Sequence, residues 1–460
     1  MMFFCKRFSI VCAVGVVALI AGVPVQAAST PATTSTAAIA VLPTGAVLAA
    51  ISSAPMTVDD AVKLALQLNE TVKRAQLDIT IAEDQIASAK SAALPSVNAE
   101  LLTGINDLGI DMRGRGVTFN QVGNNLMIIA SKPIWPPELW RAPRAAAEAG
   151  LGSSKASLNR TRQQLAYQVR LGCSQYFSAE QMLNVAKANV TVATEQLKLA
   201  KSRVAAGTAA KIDEYQAEAN LSSAEISLNT TTNNLSLARA ALAVQIGLPA
   251  STYIQVIPEE KWPLLPANED KLTQFALEHR PDVKSLMFTR DQINAGIDQL
   301  EVQKRPTVAL ASTFSSTFAN LGNSRNIFGI GFDVKYNVYN GGKLNATIDS
   351  TRLQRDQLDS SISQVKLGVG LEVRQAYLNL QSALEQQKTA DKQVTAATES
   401  ARIAKIRYDA GEGIYLEKQQ ADLNKLQADT NLVNARYQAQ IARAQLYQAL
   451  GVINPAEEGL

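Results

Sequence analysis

Apolar residues recur with a heptad period along two long stretches of the chain. In the first stretch they follow one another at steps of four and three with no polar exception: Leu165, Val169, Gly172, Tyr176, Ala179, Leu183, Ala186, Val190, Ala193, Leu197, Ala200 and Val204. Sustained heptads predict coiled-coil helices, and the many alanines let neighbouring helices approach closely. With Pro143 as the first helical residue, this helix would end at Ala205 and measure roughly 95 Å.

The second stretch, Val369–Tyr408, repeats the first at an offset of 204 residues, with Gln387 as its one polar member. Upstream of the long helices the offset is 211, as in Pro95-Ser96-Val97 and Pro306-Thr307-Val308. Matches at fixed offsets mark an internal repeat, so the chain is predicted to be a duplication. The difference between the two offsets, seven residues, predicts a longer loop in the first copy, between residues 95 and about 133.

Each copy is predicted to carry the same elements in the same order. Two helices come first, a proline and two strand-like runs follow, and a very long helix, a glycine turn and a final helix complete the copy. Besides the long helices, the predicted helices cover about 57–68, 70–94 and 212–247 in the first copy and 271–279, 281–305 and 414–451 in the second.

Strand-like alternation is clearest in the second copy, where Ile330, Phe332, Val334, Tyr336 and Val338 alternate with more polar neighbours. A period of two predicts a strand with one apolar face. In the first copy Val97, Ala99 and Leu101 alternate with polar residues, and the run from Leu126 to Ala130 is apolar on both faces. The hairpins are expected at about 95–135 and 306–339. An ordinary half-buried hairpin fits this pattern, and so does a pair of membrane-barrel strands.

The first residues resemble a secretory signal. Lys6 and Arg7 precede an apolar run over residues 8–23, and Val25-Gln26-Ala27 offers a small-residue cleavage site. We therefore expect a signal peptide over 1–27, with no attached lipid at Cys12 because no small residue directly precedes it. A flexible extension over 28–54 follows. The two repeats, 56–247 and 271–451, would be joined by an equatorial segment over 248–270 and followed by a tail over 452–460.

The balance of charge argues against a nucleic-acid partner. The chain has 44 basic and 41 acidic residues, and nucleic-acid binders need a basic face. Beyond the predicted signal, which contains Cys5 and Cys12, Cys173 and His279 are the only cysteine and histidine. A histidine-based triad or a His/Cys zinc site cannot be assembled from them. The sequence therefore predicts neither an enzyme nor a cofactor or metal site.

The predicted strands pose a packing problem. Two hairpins supply four strands, which cannot close a barrel, and an open sheet edge cannot face lipid. Three chains would pool 12 strands, enough to leave a lumen. The sequence thus predicts an α+β membrane protein in which long coiled-coil helices form an α-barrel and the hairpins form a trimeric 12-stranded β-barrel.

Over about residues 56–451, the order of elements resembles the TolC-like outer-membrane factor family. Three local motifs are similar to its opening segment, its helix-to-strand junction and its strand-to-helix junction: Thr57-Val58-Asp59-Asp60-Ala61-Val62, Ala92-Ala93-Leu94-Pro95-Ser96 and Val338-Tyr339-Asn340-Gly341-Gly342. Pro133-Ile134-Trp135 is the less regular partner of the last motif. Pro136, Pro137 and Pro143 depart from the smoother helix start that is usual in the family.

The resemblance implies a homotrimer in the outer membrane of a Gram-negative bacterium, with a long periplasmic helical tunnel. It further implies the exit duct of a tripartite efflux or type I secretion system. The partners would be outer-membrane lipid, a periplasmic adaptor and an inner-membrane pump of the RND, ABC or MFS type. A periplasmic coiled-coil scaffold or adaptor without a barrel is the alternative. The transported substrate and the pump class do not follow from the sequence.

The turns between the long and final helices are the candidate functional site. Their glycines permit the left-handed backbone of a sharp reversal, and the charged residues around them would form a periplasmic gate or would be ordinary turn residues. The candidates are Arg203, Gly207, Lys211 and Asp213 in the first copy and Arg407, Asp409, Gly411, Glu412 and Glu417 in the second. Trp135 and Tyr339, at equivalent predicted strand ends, are candidates for a membrane-interface belt or for plain packing.

Overall fold

The computed structural model describes residues 55–110, 117–258, 268–319 and 324–453. The predicted signal peptide, the extension up to residue 54 and most of the predicted tail lie outside these described residues. Eight helices are present in the described part: α1 Val58–Leu68, α2 Glu70–Ser91, α3 Glu138–Ala205, α4 Lys211–Ile246, α5 Glu269–His279, α6 Pro281–Val302, α7 Lys343–Asp409 and α8 Tyr415–Leu450. These bounds confirm the predicted helices to within a few residues, apart from the start of α3.

The prediction that Pro143 begins the first long helix is wrong. Helix α3 starts at Glu138, and Pro143 lies inside it. The carbonyls of Pro136 and Pro137 accept hydrogen bonds from Leu139 and Arg141, at 3.1 Å each, so helical bonding is established before Pro143 is reached. Because the ring fixes a helical φ, the proline is tolerated at the loss of one backbone hydrogen bond.

Burial along α3 and α7 confirms the heptad stripes. None of the twelve stripe residues of either helix is exposed, and Val169, Tyr176, Val369 and Val373 are almost fully buried. At 1.5 Å per residue, the 68 residues of α3 correspond to about 100 Å of helix. The apolar stripe therefore packs against neighbouring helices along its whole length.

Strands β2 (Ser96–Ile110), β3 (Val117–Trp135), β5 (Thr307–Ala319) and β6 (Ser324–Lys335) form one antiparallel sheet in the order β2-β3-β5-β6. The two hairpins are thus adjacent, joined through β3 and β5, and β2 and β6 are the edges. The strands of the first copy are longer: β2 and β3 have 15 and 19 residues, against 13 and 12 for β5 and β6. The loop that was expected to be longer in the first copy lies outside the described residues.

The expected strand alternation up to Val338 is partly wrong. Strand β6 ends at Lys335, which pairs with Thr307 at the start of β5. Pro306 precedes Thr307 and has no backbone N–H, so the next residues along the chain have no strand to pair with. Tyr336, Val338 and Tyr339 therefore lie in an exposed segment after the strand.

The register assigns a different chemistry to each face of the sheet. Val97 lies opposite Ala130, Leu310 opposite Phe332, and Ser312 opposite both Ala130 and Ile330. This mostly apolar face carries Val97, Ala99, Leu101, Leu126, Ile128, Ala130, Leu310, Phe314, Phe328, Ile330, Phe332 and Val334. The other face is more polar, with Asn98, Glu100, Asn125, Thr313, Ser315 and Asp333 among its residues.

The described residues fall into two compact units. One unit, Ile79–Ser153 with Leu286–Ser361, contains the four-stranded sheet, and Ile348 is fully buried in it. The other unit, comprising residues up to Asp78 with Ser154–Ser285 and the chain from Ile362, has a core that includes Tyr176, Leu242, Ile246, Leu272, Leu446 and Leu450.

A two-stranded parallel sheet belongs to the second unit. It pairs β1 (Met56–Thr57) with β4 (Val256–Ile257). Thr57 also caps α1: its side chain accepts a hydrogen bond from the Asp60 backbone and donates one to the Asp60 carboxylate. Among the helices of the described residues, none is long and apolar enough to span a membrane.

Candidate functional site: two helix–turn–helix tips

The two candidate tips, α3–turn–α4 and α7–turn–α8, have the same backbone construction. Gly207 and Gly411 have φ angles of 71° and 81°, which glycine adopts without strain. One residue further on, Thr208 and Glu412 donate backbone hydrogen bonds of 2.9 Å to the carbonyls of Arg203 and Arg407. The left-handed backbone of the two glycines thus accounts for their predicted role in the sharp reversals.

Arg203 connects the two tips. Its guanidinium donates a 2.9 Å hydrogen bond to the carbonyl of Tyr408 and lies 4.0 Å from the centre of the Tyr408 ring. A cation over an aromatic face and a charged donor on a carbonyl are both favourable contacts. The end of α3 is therefore fastened to the end of α7 by a side chain that the sequence singled out.

The remaining charged candidates interact locally or are exposed. Lys211 forms a 2.5 Å ion pair with Glu214 of its own helix, and Arg407 lies 3.6 Å from Glu417. Asp409 and Glu412 are exposed, and Asp213 is half-buried. The structure thus does not gather all the predicted charges into one cluster.

Four important polar residues at the tips were not singled out from the sequence. Lys418 is buried in α8, and Asp422 accepts a 2.6 Å hydrogen bond from the buried amide of Gln196 in α3. Tyr415 lies edge-on to Tyr408, at 6.0 Å between ring centres, and accepts a hydrogen bond from Asn220 of α4. A signal for Lys418 was present, since it lies three residues before Ala421 on the buried stripe of α8 that Ala428 continues.

Burial shifts the titration of these groups. It raises the pKa of the Asp422 carboxyl above its usual value, and the positive charge of Lys418 opposes part of that rise. It lowers the pKa of the Lys418 ammonium, with Asp422 and Asp409 acting in the opposite direction. Burial also raises the pKa of Tyr415. Keeping Asp422 and Lys418 charged at the second tip therefore costs desolvation free energy.

A groove of about 1040 Å³ lies between the two tips. Arg203 and Asp213 line it on one side, and Tyr408, Ile414 and Leu416 on the other. Ile212, Ile414 and Leu416 are exposed apolar residues beside it. The tips therefore present a mixed apolar and charged surface.

Comparisons with known proteins agree with this duplicated fold of long helices and hairpins. Residues 61–248 and 272–452 match the family model of the outer membrane efflux protein. Outer membrane efflux protein BepC of Brucella suis biovar 1 (strain 1330) is 24% identical over 445 residues, which are 92% of this chain and 91% of BepC. Further relatives are named for solvent efflux and for multidrug resistance.

Solved outer-membrane channels have the same fold. The Campylobacter jejuni CmeC channel superposes with a TM-score of 0.73 at 18% identity, covering 86% of this chain and 85% of CmeC. The open state of the Neisseria gonorrhoeae MtrE channel superposes with a TM-score of 0.70 at 20% identity, covering 86% of this chain and 89% of MtrE.

The chain belongs to the outer membrane efflux protein family. The predicted resemblance to TolC-like outer-membrane factors is thereby confirmed. So are the predicted fold class of long helices with β-hairpins and the location in the outer membrane of a Gram-negative bacterium.

In this efflux protein, the two candidate interface aromatics occupy different positions. Trp135 ends β3, pairs with Val308 and is 44% exposed. Tyr339 is 86% exposed and lies four residues beyond the end of β6. The prediction that both residues end strands is therefore wrong for Tyr339, while the membrane-interface role of either residue stays a prediction.

A second polar cluster of the efflux protein surrounds Arg280. Its guanidinium contacts Asp282 at 2.6 Å and also pairs with Glu372. A pocket of about 490 Å³ beside it is lined by Gln163, Gln375 and other amide side chains. The positive charge of Arg280 is thus neutralised by ion pairs within the fold, which is typical of a structural cluster.

The only histidine and the one cysteine of the described residues are both accounted for by packing. His279 stacks on Phe275 at 4.0 Å, and its Nδ1 lies 3.0 Å from the Phe275 carbonyl. Cys173 is buried, and burial raises its pKa to about 12. Within the described parts of the chain, no group of acidic, histidine or cysteine side chains is arranged to hold a metal ion.

Proposed function

We propose that three copies of this chain form the outer-membrane exit duct of a tripartite efflux or type I secretion system. The duct conducts passively, an inner-membrane pump supplies the energy, and a periplasmic adaptor contacts the helix tips. The observation that carries the proposal is the four-stranded sheet with an apolar face and two edges, β2 and β6, that have no partner strand among the described residues.

Sheet edges and lipid together favour pooling of strands between copies. An exposed edge presents unpaired backbone groups, which lipid cannot satisfy. Exposed Phe332, Val334 and Leu101 lie on the apolar face, where they would contact lipid once three sheets close into a 12-stranded barrel. Trp135 and Tyr339 would then lie near the membrane boundary.

The helix tips serve as the gate of the proposed duct. The contact between Arg203 and Tyr408 fastens α3 to α7 and supports a closed state. Among proteins of similar fold, MtrE has been solved in an open state, which supports a role for opening and closing here. The domain boundaries proposed from the sequence, with a cleaved signal over 1–27 and an equatorial segment over 248–270, fit this function.

Membrane extraction and mass measurement test the assembly. We expect the protein to leave the membrane fraction only with detergent, and the detergent-solubilised particle to contain three copies by light scattering. Release of a single copy without detergent would contradict the duct and favour a periplasmic scaffold.

Conductance in a planar lipid bilayer tests the conduit itself. Purified protein should insert and give discrete channel steps without nucleotide. Failure of correctly assembled trimers to conduct under any membrane potential would refute the duct.

A further inference from the structure

One face of the α7–α8 pair carries a stripe of uncharged side chains, most of them amides or hydroxyls. On α8, nine positions follow one another at steps of four and three, and eight of them are amides: Gln420, Asn424, Gln427, Asn431, Asn434, Gln438, Ile441, Gln445 and Gln448. On α7, eight positions follow the same steps: Gln375, Asn379, Ser382, Gln386, Thr389, Gln393, Ala396 and Ser400. None of these 17 positions, the neutral stripe, is charged, although 18% of all residues in the chain are.

The two halves of the neutral stripe lie side by side. Asn431 of α8 donates a 3.3 Å hydrogen bond to the side chain of Gln393 of α7. A groove of about 530 Å³ runs between the helices, and Gln393, Asn431 and Asn434 line it. Glu385, which also lines the groove, lies 3.7 Å from Lys388 of its own helix. The stripe is therefore one surface of hydrogen-bond donors and acceptors that belongs to both helices.

The opposite face of the same two helices is charged. Asp391 of α7 and Arg436 of α8 each lie two residues from a position of the neutral stripe, which is about 200° around a helix. They form a 3.1 Å ion pair between the two helices, and both side chains are about half exposed. The α7–α8 pair thus has a neutral face and a charged face.

The first copy repeats the absence of charge. At the offset of 204, the α4 positions equivalent to the α8 stripe are Gln216, Asn220, Ser223, Ser227, Thr230, Asn234, Leu237, Ala241 and Val244. Beyond the stripe of the second copy, charges return at both ends as ion pairs, Arg280 with Glu372 and Arg407 with Glu417. The absence of charge is therefore a feature of both copies and extends to the region of the tips.

Three-fold symmetry favours a face without charge on the inside of a duct. A charge that points toward the axis faces two copies of itself across the lumen, and walls of low dielectric constant strengthen their repulsion. A charge on the outside faces bulk water, in which salt screens it within about 10 Å. The neutral stripe is thus favoured on the inside, and the face with Asp391 and Arg436 on the outside.

We propose that the neutral stripe lines the tunnel and lets cargo of either charge sign pass. The inference rests on the proposed duct and adds a property of its cargo. An amide both donates and accepts hydrogen bonds, so it contacts cations, anions and neutral polar groups without retaining one sign. The wall therefore rejects neither cationic nor anionic nor zwitterionic organic molecules, and any selection by charge falls to the pump.

Ion selectivity of the full-length trimer in a planar bilayer tests which face is the wall. Gln386→Lys should lower the ratio of cation to anion permeability about twofold, and Gln386→Glu should raise it as much, because three like charges then line the tunnel. Thr395 lies nine residues further along α7, on the opposite side of the helix, and is exposed like Gln386. Thr395→Lys and Thr395→Glu are the matched controls and should leave the ratio unchanged.

Thiol labelling makes the same test on trimers that have already assembled. A cationic and an anionic membrane-impermeant thiol reagent should shift the permeability ratio of Gln386→Cys about twofold in opposite directions. Neither reagent should shift the ratio of Thr395→Cys. Cys173 is buried, so the chain without an added cysteine measures the background.

The outcomes separate this inference from the proposed function. If the unmodified trimer conducts and charges at Thr395, but not at Gln386, shift the ratio, the duct stands, the charged face is its wall and the inference is refuted. Equal shifts at both positions, or no shift at either, would also refute it, because the neutral stripe would then not be the surface that cargo meets. An unmodified trimer that gives no channel steps would refute the duct and the inference together.

Discussion

The two tips share a fold but differ in where their charges lie. At the first tip, Lys211 pairs with Glu214 of the same helix and its ammonium lies over the neighbouring Tyr215 ring. At the second tip, Lys418 and Asp422 point inward and contact residues of α7 and α3. The charged pair of the first tip thus lies within one helix, whereas the second tip carries a buried lysine and a half-buried aspartate that contact other helices.

This difference indicates which tip is held by its neighbours. Exposed pairs within one helix contribute little and constrain only that helix. Buried polar contacts between helices are costly to break, and they specify one arrangement. We therefore expect the position of the second tip to depend on the rest of the bundle. Gln196 and Arg203, both in the long helix of the first tip, make the contacts that hold it.

The largest effect is expected from Arg203→Ala. The change removes a charged hydrogen bond to the Tyr408 carbonyl and the cation over its ring, about 2 kcal/mol together. The equilibrium between closed and open channels should then shift by about thirtyfold, visible as increased resting conductance and as sensitivity to large antibiotics. Lys211→Ala at the first tip is the matched control and should have no measurable effect.

A pH dependence is the next expected effect. Burial raises the pKa of Asp422, so the closed tip holds a proton more tightly than an opened tip in which the carboxyl meets water. Closure is therefore favoured as the pH falls from above the raised pKa toward the ordinary value of about 3.9. Resting conductance should decrease over that window.

Charged groups around Asp422 and its neighbour Lys418 belong to three helices. They are Arg203 of α3, Lys405 and Asp409 of α7, and Lys418 and Lys425 of α8. Asp422→Asn should give low conductance at all acidic pH values and abolish the dependence, while Glu218→Gln, which changes the exposed equivalent of Asp422 at the first tip, should retain it. A pH profile that Asp422→Asn leaves unchanged would contradict the assignment of the titration to Asp422.

Substituting the turn glycines should affect both tips equally. Gly207→Ala and Gly411→Ala each force a side chain into left-handed backbone, at a cost of about 1 kcal/mol. Each variant should lower the midpoint of thermal unfolding of its tip. Hydrogen exchange of the amides that close the turn measures this loss. Clearly unequal losses would mean that the tips differ in backbone strain as well as in charge.

The smallest effect is expected from Arg407→Ala. Its ion pair with Glu417 spans 3.6 Å between half-exposed side chains, and such pairs contribute about 0.5 kcal/mol or less. Conductance should change less than threefold at moderate salt. A change as large as that of Arg203→Ala would show that exposure is a poor guide to function at this tip.

The sequence alone determined the helical framework and the family. Heptad spacing from Leu165 to Val204 requires burial of one helical stripe, and that requirement is local to the helix, so the stripe could be predicted. The helix ends, apart from the start of α3, could be predicted to within a few residues. Matches at offsets of 204 and 211 predicted the order of elements in the same way. Positive φ at Gly207 and Gly411 followed from the need for a sharp reversal.

Only the tertiary structure decided which side chains meet. Arg203 and Tyr408 are 205 residues apart in the chain, and Gln196 and Asp422 are 226 apart. No local pattern fixes how α8 is rotated against α3, and Lys418 is buried because neighbouring helices cover it. Strand length was likewise decided by pairing, because β6 ends where β5 no longer offers it a partner. Periodicity sets which face of an element is buried, whereas the partner that buries it sets what each polar group on that face can do.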